Sequence, residues 1–201
     1  MRRTQLALIA ALAAFALAQP ATAQFNPLSI IKGAVEAAVE DRSAEDIAKD
    51  TEIKTKITVD VIDKLGSEVI SINADVYEQD VMLTGAVEKA EIKVKAGKLA
   101  AGVEGVKKVI NEILVIAPVA QKKGAVEGFV DDTVIDTKIN GLLLDGKGVN
   151  VTNFRWRSVQ GHVFLFGRAF SGAEKTKAVG IVKGIEGVQS VTDHVKVRAK
   201  K

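Results

Sequence analysis

The side chains that usually carry catalysis or bind metal ions are scarce in this 201-residue sequence. It has no cysteine, which excludes thiol nucleophiles, disulfides and cysteine-ligated metals. Its two histidines, His162 and His194, have no acidic motif beside them and make a poor metal site. Glycine-rich residues 102–105 lack the spacing of a phosphate-binding loop. We therefore expect a protein that is not an enzyme, uses no metal or cofactor and acts through its surfaces.

One candidate surface is a stripe of three residues, Val134, Lys138 and Leu142, in a predicted helix. Residues four apart lie on one face of a helix, and the predicted core stripe of this helix is one position later. Apolar side chains on a basic domain suit contact with anionic phospholipid. These three residues are thus the predicted lipid-binding site. The alternative is that Val134 and Leu142 pack on the linker or on the other domain.

A second candidate surface lies on the side of a predicted sheet that the helices leave uncovered. Strand alternation places basic and aromatic residues there: Arg155, Arg157, Phe164, Phe166 and Lys196. The corresponding face of an earlier sheet is apolar with acidic members, including Asp75 and Glu112. The two faces are complementary, which predicts that the two sheets pack on each other. Interleaved basic and aromatic residues also occur in single-strand nucleic-acid sites. The first residues of the chain, however, form a predicted export signal, which argues against a nucleic-acid partner.

That export signal occupies residues 1–23. Arg2 and Arg3 precede the apolar run Leu6–Ala18, and Ala21-Thr22-Ala23 supplies small residues for cleavage. We predict cleavage after Ala23 and a mature protein in the periplasm of a Gram-negative cell. Since no cysteine follows the cleavage site, a lipid anchor is not expected, although peripheral contact with the outer membrane is compatible with this location.

The charge of the mature chain is divided unevenly. Residues 24–115 carry 12 basic against 17 acidic residues, a net −5, whereas residues 116–201 carry 14 against 8, a net +6. The sum is close to neutral, so the basic isoelectric point does not indicate nucleic-acid binding. The protein has an acidic half and a basic half.

These halves are two copies of one unit, related by an offset of 82 residues without a gap. The copies match in four blocks along the chain, from Asp50–Val115 to Asp132–Val197. Among the pairs are Asp50-Thr51-Glu52-Ile53 with Asp132-Thr133-Val134-Ile135, and Val81–Gly85 with Val163–Gly167. Two copies of this length indicate a pair of small domains rather than a solenoid.

Each copy is predicted to run helix, strand, strand, helix, strand. Apolar residues at helical spacing mark the first helices: Ile53, Ile57 and Val61 in one copy, and Ile135, Ile139 and Leu143 in the other. Period-two alternation marks the strands, and in the second copy it directs Phe154, Trp156, Val163 and Leu165 toward the helices. The predicted turns are Gln79-Asp80 and Gln160-Gly161, and Gly85 and Gly167 are expected to end the strands that follow. The predicted last strands are Val109–Ile116 and Val191–Arg198. Residues 24–49 are an entry segment, in which the polar residues 41–46 resemble a linker.

The order of these motifs resembles the BON domain family. The resemblance rests on the Asp-Thr-x-Ile opening, the Val-x-Leu-x-Gly strand and the Gly-Val turn, each present twice. It implies an α+β fold of two tandem BON domains at 50–116 and 131–198, joined by a linker at 117–130. Each domain would be a three-stranded mixed sheet with two helices on one face.

The resemblance also implies a function in the Gram-negative envelope. Proteins with two BON domains include a soluble osmotically inducible type and an outer-membrane lipoprotein type that binds anionic phospholipid. In the second type, lipid contact falls on the first helix of the second domain, which here carries the 134–138–142 stripe. We expect weak, reversible binding to anionic membranes that supports outer-membrane integrity, with envelope proteins as further partners. Two alternatives remain open: a soluble osmotic-stress or chaperone-like protein that binds exposed protein segments, and a small-ligand or sugar-binding module.

Overall fold

A computed structural model describes residues 42–66, 69–116 and 131–199. The predicted signal peptide, most of the entry segment and the linker at 117–130 lie outside the described residues. The first repeat contains α1 (Ala44–Leu65), β1 (Val69–Tyr77), β2 (Asp80–Val87), α2 (Ala90–Ala101), β3 (Lys108–Asn111) and β4 (Leu114–Val115). The second contains α3 (Asp132–Asp145), β5 (Phe154–Val159), β6 (His162–Ala169), α4 (Gly172–Lys183) and β7 (Ser190–Val197), with a short 3-10 helix at Val151–Asn153.

The first helix begins earlier than the sequence pattern suggests. Ser43 caps α1, since its hydroxyl oxygen accepts a hydrogen bond from the Asp46 amide at 3.1 Å. The interpretation of residues 41–46 as a polar linker is therefore wrong from Ala44 onward. The polar residue types that favour a linker also favour a helix N-terminus. Here the hydrogen bond from the Asp46 amide to Ser43 shows that they begin a helix.

Both repeats build a three-stranded mixed sheet, as predicted. The first two strands of each repeat pair antiparallel, and the last strand pairs parallel with the second: β3 with β2, and β7 with β6. The parallel pairing requires a crossover, which α2 and α4 provide. The predicted α+β architecture of two BON-like units is confirmed.

The last strand of the first repeat differs from the prediction of a continuous strand at Val109–Ile116. It is interrupted between β3 and β4, although both pieces pair with β2. Asn111 explains the interruption: its side-chain amide donates to the Lys93 carbonyl at 2.8 Å and its oxygen accepts from the Ile113 amide at 3.3 Å. In the second repeat β7 runs without a break.

Each repeat has its own hydrophobic core between its two helices and one face of its sheet. The predicted helix stripes are buried: Ile53, Ile57 and Val61 in the first core, and Ile135, Ile139 and Leu143 in the second. On the strands, residues of the predicted helix-facing set line the same cores. The cores hold the outward-facing surfaces of both domains in fixed positions.

Gly85 and Gly167 have a different role from the one predicted. They do not end their strands, because β2 continues to Val87 and β6 to Ala169. A Cβ atom at Gly85 would lie 2.0 Å from the Ser71 carbonyl oxygen, and one at Gly167 would lie 2.1 Å from the Asn153 carbonyl oxygen. Both glycines have a positive φ, of +123° and +108°. The neighbouring strand approaches too closely for any side chain.

The aspartate that opens each repeat holds the hairpin turn of its domain. Asp50 is buried and accepts hydrogen bonds from the backbone amides of Glu78 and Gln79, each at 2.8 Å. Both turn residues have positive φ, and the carboxylate compensates that backbone conformation. The first turn is thus Glu78-Gln79, one residue earlier than predicted, because Asp80 already belongs to β2.

The second domain repeats this arrangement. Asp132 accepts from the amides of Gln160 and Gly161 at 2.7 and 2.9 Å. The predicted turn at Gln160-Gly161 is confirmed.

Candidate functional site

The predicted lipid-binding residues lie together on the outer surface of α3. Val134 and Leu142 are 43% and 47% exposed, and Lys138 is exposed between them. Residues 135, 139 and 143, on the neighbouring stripe, are fully buried. We call Val134, Lys138 and Leu142 the α3 stripe. Its apolar members retain enough exposed surface for a further contact.

The corresponding surface of α1 is closed by ion pairs. Glu52 and Lys56 occupy two of the three equivalent positions and form an ion pair at 2.6 Å, and Asp60 pairs with Lys64 at 3.1 Å. In the second domain Val134 and Leu142 replace the acidic partners Glu52 and Asp60, and Gly146 replaces Lys64. The α3 stripe therefore presents apolar side chains where α1 presents paired charges.

Basic residues surround the C-terminal end of the α3 stripe. Lys177 on α4 donates to the backbone carbonyl of Lys147, just beyond the end of α3. Both side chains are exposed. Lys175 is held elsewhere, because it pairs with Asp193 at 3.0 Å and donates to the Val195 carbonyl at 2.6 Å. Lys138 lies in the stripe itself, and Lys147 and Lys177 are exposed beside the C-terminal end of α3.

The two uncovered sheet faces meet in a third apolar cluster, separate from the domain cores. We call it the interdomain cluster. Its buried members come from both domains: Tyr77, Met82 and Ala86 from the first, and Val159, Phe164 and Phe166 from the second. Phe166 and Met82 are 1% and 0% exposed. Burial this complete is typical of a domain core rather than of a wet surface contact.

Ion pairs surround the interdomain cluster, and each joins an acidic residue of the first domain to a basic residue of the second. Arg157 lies 3.3 Å from Asp75, and Lys196 lies 2.5 Å from Asp80. A hydrogen bond also crosses the interface, since His194 Nε2 lies 2.7 Å from Glu112 Oε1. The structure thus brings Asp75 and Glu112 opposite basic partners, but it pairs Lys196 with Asp80, which the sequence predicts to lie in a turn.

Four further interactions at this interface were not anticipated from the sequence. Tyr77 donates its hydroxyl to Asn153 Oδ1 at 3.2 Å. Arg155 lies over the Tyr77 ring, 5.4 Å from its centre. Glu78 accepts from Arg168 at 3.2 Å and also contacts Arg198. A basic face and an apolar face with acidic members were visible in the sequence, but the pairing of individual side chains depends on where the strands cross.

A cavity of about 600 Å³ opens beside the interface, between the first hairpin turn and the ends of β6 and β7. Its lining is strongly charged: Arg42, Ser43, Asp46, Glu78, Gln79, Asp80, Lys107, Arg168, Lys196 and Arg198. Most of these charges are already engaged with each other, as in the Lys196–Asp80 pair and in Lys107, which donates to Gln79 at 2.7 Å. The cavity therefore belongs to the ion-pair network of the interface.

Asp136 on α3 lies beside this network and titrates unusually. Burial raises the pKa of Asp136 from its ordinary value to about 6, while the Arg157 guanidinium and a hydrogen bond from the Ser158 amide at 3.0 Å oppose that rise. Asp75 in turn raises the pKa of Arg157. Arg157 interacts with both the Asp75 and the Asp136 carboxylates and stays charged. Among these three residues, Asp136 is therefore the one whose protonation changes near neutral pH.

Both histidines are engaged with neighbouring side chains in the described part of the chain. His162 Nδ1 lies 2.7 Å from Ser190 Oγ, and His194 pairs with Glu112, so each histidine has a structural neighbour. Within residues 42–66, 69–116 and 131–199, no three potential metal ligands come together. In the same ranges no helix has both the length and the apolar character needed to cross a membrane.

Both repeats match one family model, that of the BON domain, over residues 49–117 and 131–199. The osmotically-inducible protein Y of Escherichia coli is 30% identical over 149 residues, 74% of this chain and 73% of that protein. The outer membrane lipoprotein DolP of Haemophilus influenzae is 32% identical over 121 residues, 60% of this chain and 59% of that protein. The 21 kDa hemolysin of Actinobacillus pleuropneumoniae is 28% identical over 153 residues, 76% of this chain and 69% of that protein.

Proposed function

Since this chain belongs to the BON domain family and carries two copies of the domain, we propose that it is a non-enzymatic envelope protein whose second domain contacts anionic phospholipid. Its similarity to an outer membrane lipoprotein and to an osmotically-inducible protein supports an envelope role. The observation that carries the lipid contact is the exposure of Val134 and Leu142 beside three lysines, where the first domain has ion pairs. The contact would serve outer-membrane integrity from the periplasmic side.

The expected binding is weak, because each contribution is small. Full burial of an aliphatic side chain contributes about 1.5–3 kcal/mol, so the exposed halves of Val134 and Leu142 together supply about 2 kcal/mol. Each lysine near an anionic surface adds about 1 kcal/mol. This sum is near that of a single acyl chain and gives reversible rather than permanent attachment. The electrostatic part is screened over about 8 Å at physiological salt and about 3 Å at 1 M salt.

Co-sedimentation with vesicles tests this function. The protein should bind vesicles containing phosphatidylglycerol, bind neutral phosphatidylcholine vesicles far less, and lose most binding at about 1 M salt. Val134→Glu combined with Leu142→Asp should weaken binding at least tenfold, because it removes about 2 kcal/mol of apolar contact and adds repulsion. Since both side chains are exposed, the melting temperature should stay nearly unchanged.

Leu144→Asp is the matched control. Leu144 is 67% exposed on the same helix but lies outside the α3 stripe. The control adds a negative charge to the same domain without changing the proposed contact, so binding should fall much less. Equal binding to neutral and anionic vesicles, or an equal loss in the control, would leave the α3 stripe without a role in lipid binding.

A further inference from the structure

The first domain contains an apolar groove between α1 and the edge of its sheet. Its volume is about 280 Å³. The lining comes from the outer flank of α1 and from β1: Ile57, Thr58, Val61, Ile62, Gly66, Ile72 and Ala74. Ile62 is 60% exposed, so the groove is open at the surface. It lies on the first domain and is distinct from the α3 stripe.

In the second domain a tryptophan stands at the position of Ala74, the groove residue on β1. Ala74 pairs with Leu83 across the hairpin, and at the same offset of 82 residues Trp156 pairs with Leu165. Trp156 packs against the core of its domain, and its indole Nε1 donates to the Asp136 carbonyl at 3.3 Å. The repeat thus shows which chemical group fits between the first helix and first strand of this fold. The first domain lacks that group.

We propose that this groove binds a tryptophan side chain presented by an extended segment of a partner protein. The indole would take the position that Trp156 occupies in the second domain. There its N–H would point toward the Lys54 carbonyl, the equivalent of the Asp136 carbonyl, to which Thr58 already donates its hydroxyl hydrogen at 2.8 Å. The hydroxyl oxygen can still accept a hydrogen bond from an indole N–H. The site therefore offers both an apolar slot and a polar contact for the ring.

The position of the groove favours a polypeptide over a lipid or a free small molecule. β1 is a terminal strand of its sheet, paired with β2 on one side, and no described strand pairs with its other edge. An extended segment can add to such an edge through main-chain hydrogen bonds while one side chain enters the neighbouring groove. An acyl chain could not use the edge. The volume is also slightly below the roughly 300–1,000 Å³ of clefts that enclose drug-sized ligands.

The test uses two blocked, fluorescein-labelled peptides of nine residues, rich in serine and threonine. One has a central tryptophan, and the other has alanine at that position. Fluorescence anisotropy with the full chain should show saturable binding of the tryptophan peptide and at least tenfold weaker binding of the alanine peptide. Amide NMR shifts caused by the peptide should map to α1 and β1. Ala74→Trp fills the groove from within and should abolish binding.

Two exposed positions on α1 keep the test independent of folding. Ile62→Glu changes the rim of the groove and should weaken peptide binding at least tenfold. Val59→Glu is the matched control: Val59 is 50% exposed on the same helix but does not line the groove, so binding should be unchanged. Equal binding of both peptides, an equal effect of both variants, or equally tight binding of N-acetyltryptophanamide or decanoate would overturn the proposal.

Discussion

The interdomain cluster makes a sharp prediction about how the two domains unfold. Phe166 lies in that cluster and Phe154 in the core of the second domain, on opposite faces of one sheet, and each is 1% exposed. Truncating a buried phenylalanine to alanine costs about 3–5 kcal/mol at either site. That is a large part of the roughly 5–15 kcal/mol by which a typical domain is stable. The two changes match in residue type and burial but differ in the contact that is lost.

Phe166→Ala should uncouple the domains, whereas Phe154→Ala should destabilise the second domain while leaving the contact between domains in place. Trp156 is the one tryptophan of the chain, so its fluorescence reports on the second domain, and far-ultraviolet circular dichroism reports on both. In urea, the wild type and Phe154→Ala should each give coincident midpoints by the two probes. Phe166→Ala should give separate midpoints.

Small-angle scattering provides the second measurement. In mild urea, below either midpoint, Phe166→Ala should have a larger radius of gyration than Phe154→Ala, because its domains are no longer held together. If the two probes still coincide in Phe166→Ala and the radius is unchanged, the cluster does not couple the domains and the reasoning from burial fails.

Three further predictions follow from single positions. Burial raises the pKa of Asp136 in the folded protein to about 6, so its contribution to stability is present at low pH and is lost as the pH rises through 6. Asp136→Asn should remove this pH dependence. Relative to the wild type, its free energy of unfolding in urea should rise by about 1–2 kcal/mol between pH 4.5 and pH 7.5, after allowance for solvent exposure. Gly167→Ala should cost at least about 3 kcal/mol or prevent folding, since its Cβ would lie 2.1 Å from a carbonyl oxygen, whereas Gly172→Ala, with nothing within 4 Å, should leave the urea midpoint nearly unchanged. Mass spectrometry of the protein from its native envelope should give an N-terminus at Gln24, and an intact Met1 would contradict the predicted export.

Much of the fold could be predicted from the sequence because the pattern of each helix and strand occurs twice in the chain. Helical spacing identified Ile53 and Ile57 as core residues, and strand alternation separated Phe154 from Phe166. These patterns are local, with periods of 3.6 and 2, and each was present twice. Because both copies show the same pattern, each predicted element is supported by two segments of the sequence instead of one.

The details that could not be predicted depend on contacts between distant residues. The first turn is displaced by one residue because Asp50 binds amides 28 and 29 residues away. The last strand of the first domain is broken because the Asn111 side chain reaches the Lys93 carbonyl. The sequence likewise gives no sign that Lys175 is held by Asp193 and is unavailable to a membrane. Each outcome requires the folded geometry.

The opposed charges of the two sheet faces also determine which domains can associate. Two copies of the first domain joined in this way would place Asp75 and Glu112 against other acids. Two copies of the second would place Arg157 and Lys196 against other bases. Like charges at such a contact cost several kcal/mol, so this interface forms only between a first domain and a second domain.

Between separate chains, a first domain could in principle bind the second domain of a neighbour. Within one chain the linker keeps the correct partner at an effective concentration in the millimolar range, well above that of other copies. The duplication that produced this protein has therefore made its two halves mutually specific: each recognises the other and rejects itself.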